Sequence, residues 1–236
     1  MEAQQLLGKS RLAFELAKKL DTEIVSGDSM QIYKYMDIGT AKSSKSELEE
    51  IPHHMINIVS PDERYSVSAY KRQAAEAIDS VIKKGKIPVL VGGTGLYIES
   101  LIYGIEFKSE EIDESYRESL HELAVKEGLE KLYEMAKKID PKATSKISQN
   151  DEKRIIRILE IYHKTGKTKT EQEIESRAKE VKYDYILFGI TFDREKLYER
   201  INERVDIMIE QGLIDEVRGI LSKYEKLPTA MQGIRI

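Results

Sequence analysis

The sequence predicts an α/β fold, a parallel sheet flanked by helices with an all-helical insertion, and three stretches carry the prediction. Ile24-Val25 runs straight into Ser26-Gly27-Asp28-Ser29, as a short buried strand ending in a polar loop does. Ile87-Pro88-Val89-Leu90-Val91 is a second uncharged run that opens into Gly92-Gly93-Thr94-Gly95 and then an apolar-rich segment. Strand, glycine-rich loop, helix is the repeating unit of a parallel sheet, whose strands are buried on both faces. From Ile112 to about Val181 the chain is almost all helix-forming and rich in Glu and Lys. The expected division is a core of residues 1–111 and 182–236, and a helical insertion of residues 112–181.

The bulk composition narrows the classes. With 236 residues, 34% charged and 40% hydrophobic, the chain has the balance of a folded globular protein. Zero cysteines exclude disulfides, thiolate nucleophiles and cysteine-ligated zinc. Four histidines, with His53 and His54 adjacent, offer little for a histidine metal site. A net charge of -4 argues against a surface that grips nucleic acid everywhere, and leaves room for a local basic patch. No apolar run is long enough to span a bilayer and no secretory signal opens the chain, so the expected location is the cytoplasm with no membrane contact.

In order, residues 9 to 20 place Leu12, Leu16 and Leu20 at helical spacing beside Ala13 and Ala17, which predicts an amphipathic helix with Gly8-Lys9-Ser10 at its start. Ile24 to Ser26 is the first strand. An acidic turn, Glu47-Leu48-Glu49-Glu50, leads to Pro52-His53-His54, and Pro52 stops any helix running through it. Ser66 to Lys84 reads as a helix with Val67, Tyr70, Ala74, Ala77, Ile78, Val81 and Ile82 on one face, ended by Gly85. The helix after Val91 carries Leu96, Tyr97, Ile98, Leu101 and Ile102. In the insertion, Leu120, Leu123, Leu129 and Leu132 offer one apolar face, and Ile155, Ile156, Leu159 and Ile161 another. Tyr185 to Ile190 returns to strand composition, so the chain is expected to re-enter the sheet there. A helix from near Arg194 toward Gln211-Gly212 and a further one over Ile214 to Tyr224 complete the chain.

Four groups of residues have chemistry to offer. Asp28 would project from the carboxyl end of a strand, where ligands sit in open α/β sheets, with Ser29 and Gln31 as neutral hydrogen-bonding neighbours; the plain alternative is an Asp that caps the next turn. Gly8-Lys9-Ser10 at a helix start suits phosphate, since free backbone N–H groups, a lysine charge and a Mg²⁺-holding hydroxyl converge. The complete Gly-x-x-x-x-Gly-Lys-Ser/Thr loop needs a glycine where Ala3 stands. Gly92-Gly93-Thr94-Gly95 permits close approach of a ligand, or is simply a tight turn. Arg154 and Arg157 share a helix face with Lys153 one turn away, and Arg200 and Arg204 lie four apart; such pairs suit phosphate, and also occur as solvated faces.

The order of these motifs resembles one family. Gly8-Lys9-Ser10, Ser26 to Tyr33, Met36 to Lys42, Ile51-Pro52-His53-His54, Val91 to Ile98, Asn150 to Arg157 and Arg200 to Asp206 are similar, in order and spacing, to the tRNA dimethylallyltransferases. The resemblance runs from Gly8 to about Gln232. It implies a P-loop-type sheet and transfer of a dimethylallyl group from dimethylallyl diphosphate to N6 of an adenine next to the anticodon. By the resemblance, Gly8, Lys9 and Ser10 hold the diphosphate with Mg²⁺, Ser10 being the metal ligand, and Arg200 or Arg204 helps clamp it. Asp28 takes the proton of the amine, and Thr94 lies where donor and adenine meet. Asp28, Ser29, Met30, Gln31 and Thr94 contact the tRNA, while Arg117 and the segment Lys153, Arg154, Ile155, Ile156 and Arg157 hold its anticodon stem-loop. A monomer is expected.

The chain departs from the family at both ends. Met1 to Leu7 stands where the family has an apolar strand and a complete phosphate loop, and the chain stops at Ile236 where the family continues. The expectation is an incomplete or divergent copy, either active or reduced to a tRNA-binding relative. A P-loop small-molecule kinase is the remaining alternative.

Overall fold

In the computed structural model, residues 8–107, 113–177 and 181–233 are described. The elements are α1 (Lys9–Lys19), β1 (Ile24–Ser26), α2 (Lys45–Glu50), β2 (His53–His54), α3 (Val67–Lys83), β3 (Val89–Val91), α4 (Gly95–Ile102), α5 (Glu114–Glu127) and α6 (Leu129–Ile139). There follow α7 (Pro141–Thr144), α8 (Glu152–Thr165), α9 (Lys169–Ser176), α10 (Arg194–Glu210) and α11 (Leu213–Leu221). The chain divides into two compact units, Met1–Ile102 with Tyr183–Ile236, and Tyr103–Lys182. The sequence-based boundary at Ile112 lies outside the described residues.

Among the described residues the first unit carries a parallel sheet of three strands in the order β2-β1-β3, which establishes the α/β class. Ile24 and Val25 of β1 stand opposite Val89 and Leu90 of β3, and opposite His53 and His54 of β2. Alternation along β1 sends successive side chains to opposite faces. Ile24 packs with Ala13 and Ala17 of α1 and with Ile51, whereas Val25 packs with Tyr70, Ala74 and Ile78 of α3 and with Tyr97 and Leu101 of α4. Helices therefore cover both faces of the central strand, and all three of its residues are buried.

Several expectations are corrected here. The buried side of α1 is Ala13 and Ala17, not the leucine row, for Leu12 and Leu20 are 49% and 46% exposed; two small side chains let the helix lie close against β1. Strand β3 starts at Val89, because Pro88 has no N–H to give the ladder, and its residues are half-buried where full burial was expected. Among the described residues β3 is an edge strand, which explains the difference. Tyr185 to Ile190 forms no ladder; Ile186, Leu187 and Phe188 are 85%, 64% and 75% exposed. Strand composition forms a ladder only where the backbone is laid alongside a sheet edge, and this segment pairs with neither edge strand, β2 nor β3.

Among its described residues the second unit has helices as its only regular elements. Its core joins Leu120, Leu132, Ala136, Ala143, Ile155, Ile156, Ile158 and Leu159, so the predicted leucine and isoleucine faces meet. Inside it Glu160, 1% exposed, receives Arg117 at 2.9 Å and Arg157 at 2.8 Å. No described helix is long and apolar enough to cross a membrane.

Candidate active site

Two glycines set the geometry at the carboxyl end of the sheet. A Cβ on Gly92 would stand 2.3 Å from the Gly27 carbonyl carbon, so only hydrogen fits between the two loops. The Gly27 amide donates to the Val91 carbonyl at 2.7 Å, and the Thr94 amide to the Gly27 carbonyl at 3.2 Å. The glycine-rich loop is thereby laid directly on the loop that carries Asp28.

Thr94 completes the junction. Its hydroxyl oxygen accepts the Ser29 amide at 2.9 Å and donates to the Ser29 hydroxyl at 3.1 Å. One oxygen of Asp28, Oδ1, accepts the Met30 amide at 2.8 Å. Asp28 thus does cap its turn, as the plain reading held. Among the described residues its second oxygen takes no hydrogen bond, and the residue lines a cleft with Lys9, Ser10, Gln31, Gly93 and Arg204.

The cleft brings opposite charges together. Lys9 and Ser10 open α1, whose N-cap Gly8 has a φ of 74° and no side-chain cap, so the first helical N–H groups stay open to an anion. A Cβ on Gly93 would lie 3.3 Å from the Lys9 ammonium, and its absence gives that group room. Arg204 of α10 also lines the cleft. Burial draws its pKa down while the charge of Asp28 works against the shift, and an arginine remains a cation throughout. Beneath Asp28, Tyr70 and Tyr97 stack at 3.9 Å, and burial pushes both phenols well above their ordinary range. Both stay neutral, and Tyr70 donates to the Ser26 carbonyl at 3.1 Å.

A family model described as IPP transferase matches residues 31–236 of this chain. The chain belongs to the IPP transferase family. A tRNA dimethylallyltransferase of Acetivibrio thermocellus is 50% identical over 228 residues, covering 96% of this chain and 73% of its own. The full-length tRNA isopentenylpyrophosphate transferase of Bacillus halodurans has a TM-score of 0.64 at 38% identity, over 96% of this chain and 70% of that one. A eukaryotic dimethylallyltransferase acting on tRNA has a TM-score of 0.73 at 32% identity, over 93% of this chain and 54% of that one. These findings bear out the resemblance carried by the motifs.

Within this IPP transferase family member, the structure gathers Lys9, Ser10, Asp28 and Arg204 at one cleft. Arg200, by contrast, lies over the Phe192 ring at 4.1 Å. The Gln31 side chain is spent inside the protein: its amide donates to the carbonyls of Thr40 and Ala41 at 3.2 and 3.3 Å, and its oxygen accepts the Ser26 hydroxyl at 2.9 Å. Met30 packs against a cluster containing Ile32 and Met36.

In the helical unit the expectation of RNA contact through Ile155 and Ile156 is corrected. Their side chains are 0% and 4% exposed, because Asp151 starts α8 with those two positions facing the core. Lys153 and Arg154 are exposed beside them. Sequence reading missed Lys42, buried and held by the Tyr33 carbonyl, Asp37 and Asn57, and it missed Glu216. Lys42 lies within the Met36 to Lys42 motif and its partners are near in sequence, but only the folded loop shows that its ammonium is buried among them; the partners of Glu216 are loop amides far away in sequence.

Proposed function

We propose that this protein transfers the dimethylallyl group of dimethylallyl diphosphate to N6 of an adenine next to the anticodon of tRNA. The observation that carries the reading is the shared cleft, lined both by the cations Lys9 and Arg204 and by the carboxylate of Asp28. Family membership supplies the substrates.

In this reading Lys9, the open N–H groups of α1 and Arg204 bind the diphosphate and stabilise the charge that grows as it leaves. The C–O bond to diphosphate breaks, the C–N bond forms, and the N6 proton passes to the unengaged oxygen of Asp28. Thr94 and Met30 hold the Asp28 turn still while this happens. The target base has to leave its stack to reach a recessed carboxylate.

A Mg²⁺ ion fits the donor set. It takes one or two protein ligands and completes its shell with water and phosphate oxygens, and the Ser10 hydroxyl lines the cleft where those phosphates would lie. When bound, it would screen the charge of the diphosphate. In the helical unit the exposed Lys153 and Arg154 are the proposed contacts to the RNA backbone, with Arg117 and Arg157 tied to Glu160. The protein would act in the cytoplasm, as a monomer.

The test is direct. The protein, Mg²⁺, dimethylallyl diphosphate and an anticodon stem-loop bearing the adenine should yield N6-alkylated RNA by mass spectrometry. Absence of that product under these conditions would reject the reading.

A further inference from the structure

The loop of residues 35–41 forms one wall of the cleft through Thr40 and Ala41, and its backbone is not relaxed. Tyr35 and Ala41 have φ values of 66° and 47°, in the left-handed region that side chains with a Cβ disfavour. Such residues persist where the surroundings over-determine them. Here the surroundings are α11. The carboxylate of Glu216 accepts three consecutive backbone amides, from Asp37 at 2.7 Å, Ile38 at 2.7 Å and Gly39 at 3.0 Å.

The rest of the same helix face supports this grip. Leu213, Glu216 and Ile220 are spaced by three and four and share one side of α11. A Cβ on Gly39 would stand 3.1 Å from Leu213 and 3.4 Å from the Glu216 carboxylate, so the loop lies against the helix at that point. Ile220 packs with Ile32, Tyr33 and Met36, and the Lys223 ammonium sits 3.8 Å over the Tyr35 ring. From the loop the connection continues inward, since the carbonyls of Thr40 and Ala41 hold the Gln31 amide, Gln31 holds the Ser26 hydroxyl, and that hydroxyl accepts the Asp28 amide at 3.4 Å.

We infer that Glu216 is a positioning residue for the transfer reaction. It binds no substrate; it fixes the 37–39 backbone so that Gln31, and through it the Asp28 turn, meets the acceptor base in one geometry. The inference rests on the proposed transfer activity for its kinetic arm only. A carboxylate is required, because a carboxamide in its place would set an N–H donor against amides that already donate.

The experiment compares wild type with Glu216→Gln, Glu216→Asp and the surface control Asp215→Asn, whose parent carboxylate pairs with Arg218 outside this contact. In Glu216→Gln the amides of residues 37–39 should exchange with deuterium about tenfold faster, with the melting temperature nearly unchanged. The kcat for alkylation of the stem-loop should fall about 10- to 100-fold while the KM for dimethylallyl diphosphate stays within about twofold, because the misplacement touches the acceptor side. Glu216→Asp should recover part of the loss, and Asp215→Asn should behave as wild type. Unchanged exchange at 37–39, or equal loss of donor binding and turnover, would overturn the inference. A wild-type protein without transfer activity would reject the proposed function instead, and the exchange arm would still decide whether Glu216 sets the loop.

Discussion

The Thr94 hydroxyl and the Ser29 amide meet at 2.9 Å across two loops that are 65 residues apart in sequence. This bond ties the glycine-rich loop after β3 to the turn that presents Asp28. It gives Thr94 a role by structure alone: the hydroxyl holds the carboxylate's turn.

Thr94→Val keeps the shape and removes the acceptor, leaving the Ser29 amide without its partner. Turnover should fall about tenfold, in keeping with the loss of both hydrogen bonds between Thr94 and Ser29 at a half-buried junction. Thr94→Ser should retain most activity. Steady-state alkylation of the stem-loop measures both, and a fully active valine variant would deny the hydroxyl this role.

Asp28→Asn retains an oxygen for the Met30 amide and loses the proton acceptor. The turn should survive while kcat drops by about 10²- to 10⁴-fold, the usual worth of a positioned base. Binding of dimethylallyl diphosphate, followed by calorimetry, should change little. Parallel loss of binding and turnover would place Asp28 in donor binding rather than in proton transfer.

Gly92→Ala forces a Cβ to within 2.3 Å of the Gly27 backbone. The loops have to part, at a cost of about 3 kcal/mol. Gly95→Ala is the matched control: nothing lies within 4 Å of its added Cβ, and as the first residue of α4 it should be neutral or stabilising by about 0.5 kcal/mol. Urea unfolding of the two variants measures the contrast, and equal midpoints would contradict the close approach.

Glu160 predicts an acid-sensitive helical unit. Burial pushes its pKa up, but hydrogen bonds and charge from Arg117 and Arg157 outweigh burial and bring it below the ordinary glutamate range. A carboxylate depressed in the folded state stabilises fully above its unfolded pKa, and that stability is lost as pH falls through the folded value. The urea midpoint of the helical unit should therefore decline below about pH 4.5. Glu160→Gln should lower the stability of the helical unit by about 3 kcal/mol at neutral pH, since it takes a buried negative charge away from Arg117 and Arg157, and should flatten the acid dependence. A variant with the wild-type pH profile would assign the acid sensitivity elsewhere.

Local signals in the sequence account for much of the molecule. The apolar pair Ile24-Val25 before a polar loop marked the central strand, and Ser66 and Gly85 bracketed α3, because caps and strand ends are written in adjacent residues. The same holds for Asp28, Lys9 and Ser10, whose chemistry and motif context are contiguous. What failed was whatever depended on a neighbour supplied from afar. Tyr185 to Ile190 has strand composition but is not laid against either edge of the described sheet, and the leucine row of α1 was passed over for two alanines that fit the sheet.

By itself, then, the sequence determined the α/β class, the helical stretch, the family and the residues with reactive groups, since periodicity, punctuation and motif order survive without coordinates. Only the tertiary structure decided how those groups are used. It assigned Arg204 to the cleft and Arg200 to the Phe192 ring, committed Gln31 to internal carbonyls, and buried Ile155 and Ile156 in their unit's core. It also revealed Glu216 against three amides about 178 residues away in sequence. The reason is physical: a hydrogen bond or a packed contact belongs to two partners, and the chain order states only one of them at a time.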